Sequence, residues 1–420
     1  MPFLLALTLL LTPAYVIKFH IIRFPTDILM VGVILIWIIF GAWLLIKRQT
    51  RDFWRHAVSL EKKTAALVAL FFLAGIISLL AHGTDRAKLG QFIVLFLQPI
   101  SIFIIGRYLL EKFPRAAYYF LLATYLLLAA AGFYAVIQYF TLLGLPPAWW
   151  GNSDEPKRAL GFFIHPNFYA LWAAPLLAFL LPDLGLKIKG LKSNNKTWGF
   201  AAAWLIGAAG LFLSLSRAGW LGLAAAGAVY LIVAADAKIR KIILIAAACV
   251  LAVVLIYPNL RWRLLLPFYG EKSAVSRFSL WDTGWKGIKE SPLTGLGLTG
   301  FARQWHTLNT DPGLASASHN FPHNIFLDLW VETGLLGLIS LAILMGLIIY
   351  RGLRNPSVTT QIPGLSNKQD GTPRQSITIP NFKLSVALFL IALICAGMVD
   401  NPYFKNDLAM VFWLILSLGF

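Results

Sequence analysis

The chain has 420 residues, of which 59% are hydrophobic and 13% charged, and its mean hydropathy is +0.73. A soluble fold does not need so much apolar surface, so the composition excludes an ordinary soluble protein and indicates a polytopic membrane protein. A net charge of +18 would suggest nucleic-acid binding in a soluble protein. Because most Lys and Arg residues here flank apolar segments, where they meet lipid head groups, we predict membrane lipid as a partner and no nucleic acid.

Twelve segments are apolar over roughly the 20 residues that a helix needs to cross the hydrocarbon core. Pro13 interrupts the first of them, and none shows the alternating pattern of a strand. The predicted fold class is therefore an all-α polytopic membrane protein with about twelve transmembrane helices. The segments are 3–17, 28–46, 64–80, 89–110, 117–143, 166–181, 197–213, 217–234, 241–257, 324–350, 382–400 and 405–420.

The spacing of these segments divides the chain into three regions. Residues 1–257 carry helices 1–9 of the predicted bundle, and residues 258–323 form one long extracytoplasmic loop between helices 9 and 10. Residues 324–420 carry helices 10–12. Within this last region, residues 356–380 are polar, free of aromatic side chains and rich in Pro, Gly, Ser and Thr, which predicts a flexible cytoplasmic linker.

The distribution of basic residues predicts the orientation of the bundle. With both termini cytoplasmic, the five inner connections hold 20 Lys and Arg residues and the five short outer connections hold 8. The positive-inside rule favours this arrangement. It places four polar segments on one outer face, namely 158–167, 214–219, 258–323 and 400–407.

Two arginines lie where this outer face meets the membrane. Arg217 follows a tight turn between two apolar segments, and an Arg near hydrocarbon is costly unless it meets an anion. Arg277 lies near the start of an amphipathic helix predicted to lie on the membrane, with the apolar stripe Phe278, Trp281, Trp285 and Ile288. A guanidinium suits phosphate oxygens, and backbone N–H groups at the helix start would add to this at Arg277. The alternatives are a snorkelling Arg217 and a structural Arg277.

Two patterns in the long loop resemble cofactor-binding sites, one for a nucleotide and one for a metal ion. Residues 295–300 (GLGLTG) fit a nucleotide-binding pattern, but they follow a Ser-Pro pair and not a strand, so we predict a tight turn packed beneath Phe301. His319 and His323 have a spacing that suits a metal-binding helix. Pro322 lies between them and argues against a continuous helix, and no third ligand is near in sequence. We predict neither a metal nor another cofactor.

His323 is the candidate for acid–base chemistry, because imidazole titrates near neutral pH and the residue lies where the polar loop meets an apolar helix. Asn324 beside it is suited to orienting a hydroxyl group, and His319 is the alternative base. Glu332 lies about 180° around a helix from His323 and is expected to pair elsewhere. His165 precedes a proline that marks a helix start, so structural and functional roles are both open there.

At these motifs the chain resembles the O-antigen ligase and Wzy-type polymerase superfamily of bacterial polysaccharide assembly. The resemblance rests on the twelve-helix plan and on five segments in the order and spacing of the family, which cover the C-terminal two thirds. They are RALGFFIHPNFYA, SLSRAGWLGL, SRFSLWDTGWKGIKESPLTGLGLTGF, HNIFLDLWVETGLLG and VDNPYFKNDLAMVFW. The HNFPHN doubling departs from many members, but the residues after His323 follow it at the family spacing.

The resemblance implies an enzyme of the bacterial cytoplasmic (inner) membrane whose site lies on the extracytoplasmic side. Such enzymes take a glycan from a lipid-linked oligosaccharide donor, undecaprenyl-diphosphate glycan, and join it to an acceptor hydroxyl without metal or nucleotide sugar. The resemblance implies that Arg217 and Arg277 hold the diphosphate and that His323 activates the acceptor. Candidate substrate-binding residues on the same face are Arg158, Asn324, His319 and His165.

The resemblance leaves the acceptor open. A ligase uses a lipid A core sugar, a polymerase uses another lipid-linked repeat unit, and related transferases use protein hydroxyls. A transporter of lipid-linked sugars or small anions is an alternative from another class, but the apolar segments are nearly free of charged residues. A structural membrane partner is a second alternative, and it gives no reason for the arginines and His323 to share one face.

Overall fold

The computed structural model describes residues 1–21, 24–152, 156–189, 196–256, 261, 265, 272–314, 319–354, 356, 359–362 and 377–420. The first helices are α1 (Leu4–Leu11), α2 (Ile28–Ile46), α3 (Thr50–Val58), α4 (Lys62–Ala81), α5 (Arg86–Phe92), α6 (Gln98–Lys112) and α7 (Arg115–Thr141). They are followed by α8 (Pro166–Phe179), α9 (Leu181–Lys189), α10 (Lys196–Leu213), α11 (Arg217–Val233) and α12 (Ala237–Ile256). The last are α13 (Lys272–Glu290), α14 (Gly300–Leu308), α15 (Ile325–Arg354), α16 (Phe382–Gly397) and α17 (Asn406–Leu416).

Six helices in the described part of the chain are long and apolar enough to cross a membrane. A seventh span results if α8 and α9, which meet at a bend of 47°, count as one. Shorter apolar helices of 10–17 residues lie at the other predicted segments. The prediction of a helical protein that fits a multi-pass membrane protein is therefore confirmed, whereas the count of twelve crossings stays a prediction.

Local sequence fixes several of the helix boundaries. At the start of α2, the Asp27 carboxylate accepts a hydrogen bond from Met30 N at 2.8 Å, and Asp85 accepts from two free N–H groups at the start of α5. A π-helical turn, Ile93–Leu97, joins α5 to α6, so that the two form one helix of 27 residues.

Two short hairpins depart from the purely helical prediction. β1 (Lys18–Ile21) pairs with β2 (Phe24–Asp27), and β3 (Thr359–Ile362) pairs with β4 (Ile377–Pro380), both antiparallel. Each strand has four residues, too few to show an alternating pattern in the sequence. The second hairpin lies within the predicted linker at 356–380, of which 357–358 and 363–376 lie outside the described residues.

α15 and α16 pack along each other, and α17 packs along α6. α4 packs along α15, while α8 and α11 pack along α16. Large side chains of α16 and α17 are almost completely buried, among them Phe389 and Trp413. The connection between these two helices is buried as well, from Asp400 through Phe404. It therefore lies inside the protein, at the end of the bundle where α15 begins.

The polar segment between α12 and α15 folds onto the start of α15, although residues 257–260, 262–264, 266–271 and 315–318 lie outside the described part. α13 and α14 share a small core with α15 that includes Leu280, Phe301 and Val331. On the other face of α13, Phe278 is 66% exposed and Trp285 is 45% exposed. An amphipathic helix with an exposed aromatic face is thus present.

Two details of the α13 prediction are wrong. Ile288 belongs to the buried face, because ten residues around a helix place it about 80° from Phe278 and towards Leu280. Arg277 does not lie at the helix start, because α13 begins at Lys272. Arg277 is therefore the sixth residue of the helix, more than one turn after its first residue.

A break in α15 accommodates the turn that follows α13. Gly334 has φ +70° and ψ −176°, which is not helical. On either side of this break, Leu335 N donates to Leu293 O at 3.1 Å, and Val331 O accepts from Leu296 N at 2.6 Å. A Cβ on Gly334 would lie 2.2 Å from Leu293 O, so only glycine fits at this position.

Glu332 pairs away from His323, as expected. Its carboxylate accepts hydrogen bonds from Thr299 N at 2.6 Å and from Phe301 N at 3.3 Å, at the start of α14. The GLGLTG segment is a tight turn with positive φ at Gly295, Gly297 and Thr299, which confirms the predicted turn. Glu332 occupies the helix N-terminus at which a nucleotide phosphate would bind in a GxGxxG site, so this turn is structural.

Candidate active site

His323 lies between the polar segment and α15, and its ring pairs with a carboxylate. The His323 Nδ1 atom lies 2.8 Å from Oδ1 of Asp400, in the connection between α16 and α17. The Asp400 side chain is 1% exposed, whereas the His323 side chain is 32% exposed and open to a substrate. An ionised carboxylate only accepts, so His323 donates its Nδ1–H and keeps Nε2 as a proton acceptor.

The surroundings of Asp400 keep its carboxyl ionised. Burial opposes ionisation, but the hydrogen bond and charge of His323, with the charge of Lys405, hold the pKa of Asp400 well below its usual value. Asn401 N also donates to Oδ1 at 2.8 Å. Asp400 is therefore a fixed negative charge on the Nδ1 side of the histidine.

Lys405 supplies a second charge to this region. Its Nζ atom lies 3.0 Å from the centre of the Phe168 ring, and it interacts electrostatically with Asp400, Asp407 and Asp328. Burial lowers the pKa of Lys405, and the three carboxylates oppose that shift. Asp328 is fully buried, and its carboxylate has no hydrogen-bond partner among the described residues. The half-buried Lys405 is thus close enough to the His323–Asp400 pair to interact electrostatically with Asp400.

A row of hydrogen bonds connects this pair to two of the other polar segments. Asn167 Nδ2 donates to Asp400 Oδ2 at 3.2 Å, and Arg158 Nη2 donates to Asn167 Oδ1 at 2.6 Å. Arg158 Nε also donates to Ser214 O at 2.9 Å, and Arg158 is only 9% exposed. All four polar segments selected from the sequence therefore meet at one end of the bundle.

The two predicted diphosphate ligands lie in the same region. Arg277 Nε donates to Val399 O at 2.7 Å, so its guanidinium lies beside the peptide that precedes Asp400. Arg217 is the first residue of α11, three residues after Ser214, and it is partly exposed. Arg277 is half-buried. Two guanidinium groups at the histidine end of an apolar bundle suit a diphosphate attached to a lipid.

Asn324 holds the backbone next to His323. Its Oδ1 accepts from Phe326 N at 3.0 Å and Leu327 N at 3.2 Å, which caps α15, and its Nδ2 donates to Met398 O at 3.0 Å. His323 itself has φ +54°, a left-handed conformation that this cap helps to maintain. The structure thus shows a positioning role for Asn324, and its predicted contact with substrate stays a prediction.

The other two histidines have different surroundings. The His319 ring packs edge-on against Trp305 at 4.8 Å between centres, and burial followed by the charge of His323 lowers its pKa. His319 Nε2 is buried without a hydrogen-bond partner among the described residues. Among the described residues, His323 therefore has a carboxylate partner and His319 has none.

His165 caps α8, where its Nδ1 accepts from Asn167 N at 3.1 Å. Burial, with the charge of Arg158, lowers the pKa of His165 to about 4, so the ring is neutral at physiological pH and able to accept. His165 thereby fixes the residue that bridges Arg158 and Asp400. Its predicted contact with substrate also stays a prediction.

The sequence prediction omits Asp400, Asn167 and Lys405 as individual site residues. The sequence prediction includes the segments that contain them. The requirement that a catalytic histidine has a carboxylate partner is the signal that could have identified Asp400. In the described part of the chain, no group of three His, Cys, Asp or Glu side chains is arranged to hold a metal ion.

Comparisons with known proteins agree with the resemblance. The O-antigen ligase family matches residues 201–342, a segment that contains Arg217, Arg277 and His323. The exopolysaccharide production protein ExoQ of Rhizobium meliloti is 33% identical over 207 residues, 45% of this chain and 43% of that protein. An uncharacterised protein of Haemophilus influenzae is 32% identical over 85 residues, 20% of this chain and 21% of that protein. The chain thus aligns with less than half the length of either relative, and the resemblance to the family is confirmed.

Proposed function

We propose that the protein is a membrane glycosyltransferase that moves a glycan from an undecaprenyl-diphosphate carrier to an acceptor hydroxyl outside the cytoplasmic membrane. The observation that carries this proposal is the partly exposed His323, paired at 2.8 Å with buried Asp400 and adjacent to the guanidinium of Arg277. The similarity to the O-antigen ligase family and to an exopolysaccharide production protein supports polysaccharide assembly as the setting.

The proposed reaction exchanges one bond at the anomeric carbon of the donor sugar. The acceptor oxygen forms a bond to this carbon while the bond from the carbon to the phosphate oxygen breaks. The acceptor proton passes to Nε2 of His323, and undecaprenyl diphosphate leaves with the negative charge. General-base assistance of this kind contributes about 10²–10⁴-fold to the rate.

The arginines act on the leaving group in this proposal. Negative charge on the diphosphate increases as the glycosidic bond breaks, so a contact from Arg217 or Arg277 is stronger in the transition state than in the ground state. Their binding therefore accelerates the reaction. No metal ion is required, because the two guanidinium groups supply the positive charge.

Asp400 acts through His323. It holds the imidazole with Nδ1 protonated, and its charge stabilises the imidazolium that forms when the proton arrives. Arg158 and Asn167 fix the position of Asp400 and do not contact the reacting atoms. The transfer depends on this whole arrangement, although only His323 accepts the proton.

The extracytoplasmic position of the site is also part of the proposal. The excess of Lys and Arg in the predicted inner connections, 20 against 8, supports it. With twelve crossings and both termini inside, the connections that carry His323, Asp400, Arg158 and Arg217 lie outside. A lipid-linked donor in the outer leaflet then reaches the site from the membrane.

The acceptor defines two candidate functions. In a ligase the hydroxyl belongs to a lipid A core sugar, and in a polymerase it belongs to another lipid-linked repeat unit. The name of ExoQ refers to exopolysaccharide production, which favours the polymerase as the second candidate. A protein hydroxyl is a further acceptor of the same chemistry.

Purified protein offered undecaprenyl-diphosphate-linked repeat units distinguishes these functions. A ligase forms one product, and only when lipid A core is added. A polymerase forms a ladder of longer glycans without another acceptor. A transporter moves labelled donor across a vesicle membrane and forms no glycosidic bond, and that result would contradict the proposal.

A further inference from the structure

A second charged region lies at the far end of the bundle from His323. A cavity of about 640 Å³ is present there, lined by residues at or just before the start of α4, in α6, at the end of α15, at the start of α16 and after α17. α15 continues for about 30 Å beyond its break at Gly334, at 1.5 Å per residue. The cavity is therefore at the opposite membrane face from the candidate active site and belongs to no part of it.

The cavity has a large excess of positive charge. Glu61 is its one carboxylate side chain among the described residues, and it pairs with Arg351, which also donates to Thr64 Oγ1 at 3.3 Å. Arg107 Nε is buried and has no hydrogen-bond partner in the described part of the chain. The basic lining residues are Lys63, Arg107, Arg351, Arg354 and Lys383.

One hydrogen-bond donor at this cavity, the Nε–H of Arg107, has no acceptor among the described residues. A buried guanidinium N–H that makes no hydrogen bond costs free energy, which an anion in the cavity would recover. Arg354 and Lys383 make no ion pair with any residue that the structure describes, and both are exposed. One paired carboxylate among five cations therefore leaves this cavity suited to a phosphate group.

The remaining lining is apolar or aromatic. Leu60 and Leu347 are half-buried at the cavity, and Tyr350 is 57% exposed beside them. The Arg354 guanidinium lies 5.9 Å from the centre of the Tyr350 ring. Cations next to an interfacial tyrosine and an apolar wall fit a molecule with an anionic head and hydrocarbon tails.

We propose that this cavity binds an anionic phospholipid, with its phosphate among the five basic side chains and its acyl chains along Leu347 and Tyr350. A basic cavity between the ends of membrane helices meets the head groups of the adjacent leaflet. The site connects α4, α6, α15 and α16 through one lipid. It is independent of the glycosyl transfer reaction.

Native mass spectrometry of the full chain in detergent tests this site, with phosphatidylglycerol and phosphatidylcholine as probes. Wild-type protein should retain phosphatidylglycerol in preference to phosphatidylcholine. The triple variant Lys63→Gln, Arg354→Gln, Lys383→Gln should bind phosphatidylglycerol about 100-fold more weakly, at about fivefold per cation removed. The matched control removes three exposed cations that lie outside the cavity, at the end of α2 and in α3. It is the triple variant Lys47→Gln, Arg51→Gln, Arg55→Gln, and it should bind phosphatidylglycerol as tightly as wild type does.

Three outcomes would overturn the proposal. They are equal retention of the two lipids, an equal loss in the two triple variants, and binding of free pyrophosphate that displaces phosphatidylglycerol. The last of these would identify a site for soluble phosphate. Melting temperatures measured without added lipid verify that the variants fold. If the triple variant does not fold, Lys383→Gln alone is used in its place, with an expected loss of phosphatidylglycerol affinity of about fivefold.

Discussion

Asp400→Asn tests the positioning of the proposed base, because it keeps the shape of the side chain and removes its charge. In the structure Asp400 accepts from His323 Nδ1 at 2.8 Å, from Asn401 N at 2.8 Å and from Asn167 Nδ2 at 3.2 Å. An amide that turns its NH₂ group towards His323 donates to Nδ1. The imidazole proton then moves to Nε2, and the base is lost.

Two contributions set the size of the effect. A hydrogen bond to a charged group is worth about 1.5–3 kcal/mol, which is roughly 10- to 150-fold in rate when it stabilises the imidazolium. The wrong tautomer removes general-base catalysis, which contributes about 10²–10⁴-fold. Because the two effects overlap, we expect kcat of Asp400→Asn to fall by about 10³-fold.

The assay measures glycan transfer from a lipid-linked donor over a range of pH, with donor binding determined separately. The variant should be slower than wild type at every pH of this range, because the imidazolium that forms during transfer loses the charge of Asp400. Donor binding should stay unchanged, because Arg217 and Arg277 are intact.

Asp183→Asn is the matched control, since Asp183 is a buried carboxylate in α9 that pairs with Lys187 and not with His323. This variant should keep most of its activity over the same pH range. The reasoning is refuted if Asp400→Asn keeps the wild-type kcat, or if the control loses activity to the same extent.

Three further predictions follow from the same site. His323→Ala should insert normally, bind donor and fail to transfer, whereas His319→Ala should keep substantial activity; the opposite result in a transfer assay would move the base to His319. Arg217→Lys and Arg277→Lys should each be nearly as inactive as the alanine variants, because Lys loses the bidentate contact, and full activity would reduce that arginine to a membrane anchor. Reporter fusions should read cytoplasmic at the inner connections and external at the outer ones, and one reversed pair would place the site on the wrong side. The fusion positions are Ser193 and Gly371 inside, and Asn152 and Thr310 outside.

The helices were predictable because the signal for them is length and hydropathy. Residues 28–46 are apolar throughout, and α2 begins and ends at those residues. The hairpins were not predictable from the same signal. Their strands have only four residues each, too few for an alternating pattern to stand out.

The sequence predicted which segments form the candidate site, but not which of their residues contact each other. His323 and Asp400 are 77 residues apart in sequence, and nothing local to either of them indicates the pairing. The packing of α15 against α16 brings them together, and this packing depends on how many apolar side chains interlock. The predicted preference for His323 over His319 as the base agrees with the pairing of His323 with Asp400. The sequence around His323 does not contain that reason, because Asp400 is distant in sequence.

The face of α13 illustrates a different limit. The apolar stripe was identified correctly as a helical pattern, yet Ile288 at its edge packs into the protein while Phe278 is exposed. Periodicity places residues on one side of a helix but does not say where the partner helix ends and the lipid begins. That boundary depends on α14 and α15.

The most direct test of the proposed function is the release of undecaprenyl diphosphate by purified protein during glycan transfer. Vesicles containing the protein, labelled undecaprenyl-diphosphate glycan and a glycan acceptor are incubated in EDTA, and both products are measured. We predict that the acceptor gains glycan and that carrier is released in equal amount, with no requirement for a metal ion. Failure to release the carrier with any acceptor, or activity that returns only with added Mg²⁺ or Zn²⁺, would contradict the proposed mechanism.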